Sequence, residues 1–371
     1  MKVPLLDLSE QNATLRPEIE AALGRVLDSN GFILGAEVAA LEKELAEYCG
    51  TEHAIGCASG SDAILLALMA LNVGPGDEVI TTPYSFFATV SSITRLGATP
   101  VFVDIEPTTY NIDATQLEAK ITPRTKALEP VHLYGQCADM ETINAVAYKY
   151  GIPVVEDAAQ AIGAEEGGLR AGAMSAIGCF SFYPSKNLGG MGDGGFLTTN
   201  DDALAAKLRA LRVHGAEEKY YHKYIGLNSR LDGFQGALLR IKLPHLDTWT
   251  EKRRTNAANY NRLFTDLGLT EQIGLPVERE NTRHIYNQYV IRVHQKRDEL
   301  RSFLADKEIG TDIYYPVPLH LQECFAYLGY AKGDLPESEK AASETLALPV
   351  YPELRAEQQR FVVESVSEFF S

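Results

Sequence analysis

Lys186 follows an apolar run, Gly178-Cys179-Phe180-Ser181-Phe182-Tyr183, after Pro184 and Ser185. Behind it lies a loop with five glycines among residues 188–195. An amine at the mouth of a core strand can reach a buried ligand, form an imine with an aldehyde and move a proton as a general base. A surface lysine before a turn would look the same locally. A second feature is Glu156-Asp157, two acids ending the apolar run 153–156. A buried carboxylate needs a partner. A pyridinium N–H is one such partner, and Asp157 there would keep the ring nitrogen protonated and the ring an electron sink. Capping of the next helix is the alternative. Ala58-Ser59-Gly60-Ser61-Asp62 precedes an apolar helix predicted over 63–71. Uncovered amides and the helix dipole make an anion site there, which is compatible with capping by Ser61 or Asp62. Ser181 adds a hydroxyl to that cradle. Phe86, in Pro83-Tyr84-Ser85-Phe86-Phe87, offers an aromatic face or an ordinary core ring.

These residues need a frame that brings strand ends together. From Asp77 the pattern alternates strands with helices. Short β-rich runs fall at 78–81, 100–103, 126–133, 152–155, 177–182 and 195–199, with helices near 85–96, 114–120, 140–150 and 201–213. This predicts an α/β domain with a mostly parallel sheet covered on both faces, whose ligands sit outside the carboxyl ends of the strands. Two amphipathic helices, 15–28 and 37–48, precede it. Helices over 231–243 and 246–264 follow. The texture then changes to a strand at 286–293, a helix at 297–307, a strand at 310–315, a Pro- and Tyr-rich loop and a helix at 356–370. The division predicted is 1–244 and 245–371, the second part a smaller α+β domain.

Composition narrows the function classes. The chain has 371 residues, 45% hydrophobic and 23% charged, with net charge −16. That argues against a general nucleic-acid binder, which needs a basic face. The five cysteines are scattered with no CxxC pair, so neither a disulfide framework nor a metal site is implied. Free thiols, an N-terminus without a signal-peptide core and no apolar run approaching ~20 residues predict a cytoplasmic protein without membrane spans.

Several segments together resemble the DegT/DnrJ/EryC1/StrS family of sugar aminotransferases: Ser59-Gly60-Ser61-Asp62-Ala63, Gly74-Pro75-Gly76-Asp77-Glu78, Val131-His132-Leu133-Tyr134-Gly135-Gln136, Glu156-Asp157-Ala158-Ala159-Gln160, Phe180 through Gly189, Gly226 through Asp232, and Tyr315-Pro316-Val317-Pro318-Leu319-His320. The resemblance implies the aspartate-aminotransferase fold (fold type I), a large domain with a mostly parallel seven-stranded sheet, and pyridoxal 5'-phosphate as cofactor, with pyridoxamine phosphate as its intermediate form. It implies Lys186 as the Schiff-base lysine, Asp157 on the pyridine nitrogen, Gln160 beside the ring near its phenolic oxygen and Phe86 stacked on the ring. Gly60, Ser61, Asp62 and Ser181 match the phosphate cradle. Asn228 resembles the asparagine that reaches the phosphate of the neighbouring subunit, which implies a homodimer with shared active sites. Tyr183, Tyr315 and His320 sit where the family lines the sugar pocket.

The implied reaction is transfer of an amino group from L-glutamate to a nucleotide-linked keto-sugar. Phe182-Tyr183-Pro184-Ser185-Lys186-Asn187-Leu188-Gly189 with the Gly192-Asp193-Gly194-Gly195 tail resembles members that aminate C3, of the dTDP-3-keto-6-deoxyhexose type. A UDP-3-keto-uronic acid and a C4-keto-sugar are the alternatives, followed by a sugar dehydratase, whose members replace the lysine with histidine, and a non-catalytic regulator. Cys137, Ser185 and Gly233-Phe234 depart from the usual pattern. His132 reads as structural and Trp249 as helix packing. Tyr220, Tyr221, His222 and Tyr224 fit either a nucleotide contact or dimer packing.

Overall fold

The structure is a computed structural model describing residues 1–371. Seven strands form the central sheet, in the order His53–Cys57, Gly195–Thr199, Ile177–Ser181, Val155–Asp157, Thr125–Glu129, Glu78–Thr81, Thr99–Phe102. The two halves join through the parallel bridges Leu128↔Val154 and Val131↔Asp157. Only Gly195–Thr199 runs antiparallel to its neighbours. The expected mostly parallel seven-stranded sheet is therefore present.

Period-two alternation sends each strand's side chains to two cores. On one face Ile55, Val79, Ala127, Val155, Ile177 and Leu197 pack under the helices Gly60–Ala70, Phe87–Arg95 and Asp202–Leu211. On the other, Ala54, Phe180 and Phe196 meet the helices Ala36–Cys49 and Gly233–Lys242, while Ile80, Leu128 and Val154 meet Met140–Tyr150. Asp157 has the parity of Val155. It thus belongs to the face under the Gly60–Ala70 and Phe87–Arg95 helices.

Beyond residue 245 the helix Leu246–Asp266, the antiparallel strands Ile273–Gly274, Tyr289–Val293 and Thr345–Leu348, and the helices Arg297–Asp306 and Ala356–Phe370 share their own core. Val3 joins that core and bridges to Ile309, so the chain's start packs on its end. No helix is long and apolar enough to cross a membrane.

Some elements differ from the sequence reading. The helix expected at 114–120 is two 3-10 turns, Ala114–Gln116 and Glu118–Lys120. So short a segment cannot offset helix nucleation, and Asp113 caps the first turn by accepting from Thr115 N–H. The strand expected at 310–315 reduces to one bridge, Asp312↔Ala347. The strand expected at 152–155 is shifted to Val155–Asp157, so the two acids end it within the ladder. The helix Pro336–Glu344 was not expected from the sequence.

Candidate active site

A cavity of about 470 Å³ opens at the carboxyl ends of the central strands, a volume typical of small-molecule sites. Its wall includes Gly60, Ser61, Phe86, Asp157, Gln160, Ser181, Tyr183, Lys186 and Tyr315, all named from sequence. Sheet topology explains the convergence. Asp157 and Ser181 end adjacent strands, Lys186 follows the second, and Gly60 opens the helix that covers both.

Asp157 is buried and held by two donors. Thr89 Oγ1 donates to Oδ2 at 2.8 Å, and the Ala159 amide donates to Oδ1 at 3.2 Å. Ser85 Oγ lies 2.8 Å from Thr89 Oγ1, which extends the chain to the cavity wall. Burial raises the Asp157 carboxyl above its ordinary range, and the Thr89 and Ala159 bonds with Lys186 oppose that rise. Each carboxylate oxygen keeps a lone pair for a further N–H donor. Glu156 does not cap a helix. It is fully buried and accepts from Gly172 N–H, Met174 N–H and Ser175 Oγ, with His132 Nε2 2.9 Å away. His132 is thus committed to the core, in keeping with its structural reading.

Burial pushes the Lys186 amine down to about 8, with Asp157 working against the shift. That leaves about a tenth of the amine in the neutral, nucleophilic form at pH 7, far more than an ordinary lysine. The loop after it is pinned rather than loose. Gly190 N–H donates to Phe182 C=O at 2.7 Å, and Lys242 Nζ donates to Gly189 C=O. Gln235 Oε1 accepts from Met191 N–H at 3.0 Å, and Asn187 Nδ2 reaches Ile285 C=O at 3.2 Å. The glycines allow this close packing: a Cβ on Gly190 would fall 2.7 Å from Gln235 Oε1.

At the far end of the cavity Ser59, rather than Ser61 or Asp62, caps the Gly60–Ala70 helix by accepting from Asp62 N–H at 3.1 Å. The first helical bond is Ala63 N–H to Ser59 C=O, which leaves the Gly60 and Ser61 amides ahead of it. A Cβ on Gly60 would meet Ser181 Cβ at 2.7 Å, so the cradle needs glycine there. Gln160 accepts from Tyr134 N–H at 2.7 Å and donates to the Tyr315 hydroxyl at 2.9 Å. The Phe86 ring is 55% exposed and 6.0 Å from the Tyr315 ring, free to cover a flat ligand. An anion cradle, an aromatic cover, a buried acid and a depressed lysine in one cavity fit pyridoxal phosphate.

Three residues named from sequence do not line this cavity. Asp62 lies in the first helical turn, where its amide serves the cap. Asn228 is exposed and bridges Val213. His320 is buried, 3.2 Å from Glu339 Oε1, and packs edge-on to Phe102 and Tyr330. Conversely, the wall includes Ser59, Ser85, Val131, Gln288 and Tyr314, which sequence reasoning missed, with Thr89 just behind it. The Ser85-x-x-x-Thr89 spacing, one helical turn, was a signal that could have exposed the Asp157 chain.

Comparison with known proteins agrees with this geometry. The DegT/DnrJ/EryC1/StrS aminotransferase family model matches residues 13–367. A pleiotropic regulatory protein of Geobacillus stearothermophilus is 55% identical over 370 residues, 100% of this chain and 99% of the relative. The UDP-N-acetyl-3-dehydro-alpha-D-glucosamine 3-aminotransferase of Acidithiobacillus ferrooxidans is 46% identical, over 96% of this chain and 95% of that one. The dTDP-3-amino-3,4,6-trideoxy-alpha-D-glucose transaminase of Streptomyces venezuelae is 45% identical, over 99% and 96%. Among solved structures, S. venezuelae DesV in complex with a ketimine intermediate superposes with a TM-score of 0.96 at 45% identity, covering 99% of this chain and 98% of DesV. The chain belongs to the DegT/DnrJ/EryC1/StrS aminotransferase family and is a pyridoxal-phosphate-dependent sugar aminotransferase of fold type I.

Proposed function

We propose that this protein transfers the amino group of L-glutamate to C3 of a nucleotide-linked 3-keto-sugar, of the dTDP-3-keto-6-deoxyhexose type. We take it to act in the cytoplasm as a homodimer, with 1–244 as the cofactor domain and 245–371 as the smaller domain that closes over it. The observation that carries the reading is the burial-depressed Lys186 amine in one cavity with buried Asp157. When bound, pyridoxal phosphate supplies an aldehyde and an electron-accepting ring.

The chain's own residues do the rest. Lys186 holds the cofactor through its amine, then serves as the base that takes a proton from the donor's α-carbon and returns it. Asp157, steadied by Thr89, accepts the ring N–H. Gln160 would lie by the ring's phenolic oxygen, Phe86 would cover its face, and Gly60, Ser61 and Ser181 would hold the phosphate, with the Asp62 N–H hydrogen bond to Ser59 Oγ keeping that helix end in place. Tyr183 and Tyr315 border the sugar. Asn228, exposed and off its own chain's cavity, is assigned to the partner's phosphate. For His320 the reading is an indirect one, as a buried support for the loop that carries Tyr315.

Lys186→Ala should abolish turnover of glutamate with a keto-sugar nucleotide, and normal turnover by that variant would sink the assignment. The name of the 55% identical relative favours a second reading, a regulator that keeps the fold. A cofactor absorbance band that bleaches with L-glutamate excludes a purely non-catalytic role. No bleaching with any amino donor would favour the regulator.

A further inference from the structure

Ser85 is buried at the wall of the active-site cavity, two residues before the helix Phe87–Arg95. Its hydroxyl does not cap that helix, and its one contact within the chain is Thr89 Oγ1 at 2.8 Å. The direction of that bond follows from counting protons. A threonine hydroxyl carries one hydrogen, and Thr89 gives it to Asp157 Oδ2 at 2.8 Å. Ser85 is therefore the donor to Thr89. The chain runs from Ser85 through Thr89 to Asp157, and all three residues are buried.

A helix threonine has another place to put its proton. Its hydroxyl can turn back to the carbonyl three or four residues earlier. Thr94, in the same helix, does so, with Oγ1 3.2 Å from both Val90 C=O and Ser91 C=O. For Thr89 the competing carbonyls are those of Phe86 and Ser85, and its hydroxyl uses neither. An O–H donated into Thr89 Oγ1 fills one of its lone pairs, turns its hydrogen toward the carboxylate and polarises that bond. We propose that Ser85 is a positioning residue whose hydroxyl keeps the Thr89 proton on Asp157, and so holds Asp157 as the anion that pairs with the ring nitrogen of the cofactor. The inference rests on the proposed pairing of Asp157 with that nitrogen.

The test is a fluorescence titration of the full-length, cofactor-free protein with two probes, pyridoxal phosphate and its analogue with C–H in place of the ring nitrogen. Ser85→Ala is expected to weaken pyridoxal phosphate binding by about threefold to tenfold and binding of the analogue by less than about twofold. Equal weakening of both probes would mark a merely structural role and overturns the proposal, as does no change with either. If Ser85→Ala does not fold, Ser85→Cys keeps the size and replaces the hydroxyl with a weak donor. It should show the same one-sided loss, and a loss shared by both probes overturns the proposal again. Asp157→Asn separates the two readings, since it should remove the wild-type preference for pyridoxal phosphate over the analogue. A preference that is absent from the wild type, or that survives in Asp157→Asn, overturns the pairing itself and the Ser85 assignment with it. A preference that Asp157→Asn removes and Ser85→Ala leaves intact overturns the Ser85 assignment alone.

Discussion

Glu129 ends the strand Thr125–Glu129 on the same sheet face as Asp157, diagonal to it across the Val131↔Asp157 bridge. It is fully buried, and neither carboxyl oxygen has a hydrogen-bond partner. Burial, reinforced by Asp157, pushes its carboxyl well above the ordinary value of 4.5. The native protein therefore keeps this proton at pH values where the unfolded chain has already released it. With the unfolded state binding one proton fewer, stability is fullest below pH 4.5 and falls as pH rises toward the native pKa. The slope is about 1.4 kcal/mol per pH unit for one such group. Glu129→Gln keeps the shape and removes the titration. The raised Asp157 has the same sign and is present in both proteins, so it enters the difference only through its coupling to Glu129. Urea unfolding of the cofactor-free proteins at fixed concentration should therefore show Glu129→Gln gaining on wild type as pH rises above the ordinary carboxyl range, by up to about 1.4 kcal/mol per pH unit. A gap that stays constant or narrows as pH rises from the ordinary carboxyl range refutes the claim that burial raises the Glu129 carboxyl.

Three further outcomes follow from the site. The rate at which cofactor-free protein forms its imine link with pyridoxal phosphate should rise with pH and level off above about 8, as the Lys186 amine loses its proton. A rate flat across that range contradicts the burial argument. Thr89→Val removes a charge-assisted hydrogen bond to Asp157 and should weaken cofactor binding by about tenfold or more, measured by fluorescence titration, whereas Thr89→Ser should restore most of it. Gly60→Ala places a methyl group 2.7 Å from Ser181 Cβ. Its pyridoxal phosphate affinity should drop by at least about tenfold and its urea midpoint should fall as well, because the added group forces Ser181 aside at the phosphate cradle.

The residues proposed for direct chemical roles were legible because each lies in a local pattern. Lys186 follows a strand, Asp157 ends one, and Gly60 and Ser61 open a helix. What escaped was non-local. Thr89 matters through a contact with a residue 68 positions away, and Gln288 reaches the cavity from the segment before the strand Tyr289–Val293. The edge strand His53–Cys57 was missed because it is five residues long, contains Gly56 and pairs only with the distant Gly195–Thr199. The close packing of Gly189 and Gly190 under Lys242 and Gln235 escaped because those side chains come from a helix more than 40 positions later. His320 sits in the Pro- and Tyr-rich segment as expected, but its ring turns to Glu339 and Phe102, an outcome set by packing that spacing does not encode.

The central claim is that a single cavity serves both glutamate and a C3 ketone. Its most direct test is a two-step absorbance titration of the cofactor-loaded protein. L-glutamate should bleach the band, and after its removal a dTDP-3-keto-6-deoxyhexose should restore the band with stoichiometric formation of the 3-amino sugar. A 4-keto-sugar nucleotide should not. Restoration by the 4-keto compound alone, or by neither, would contradict the account.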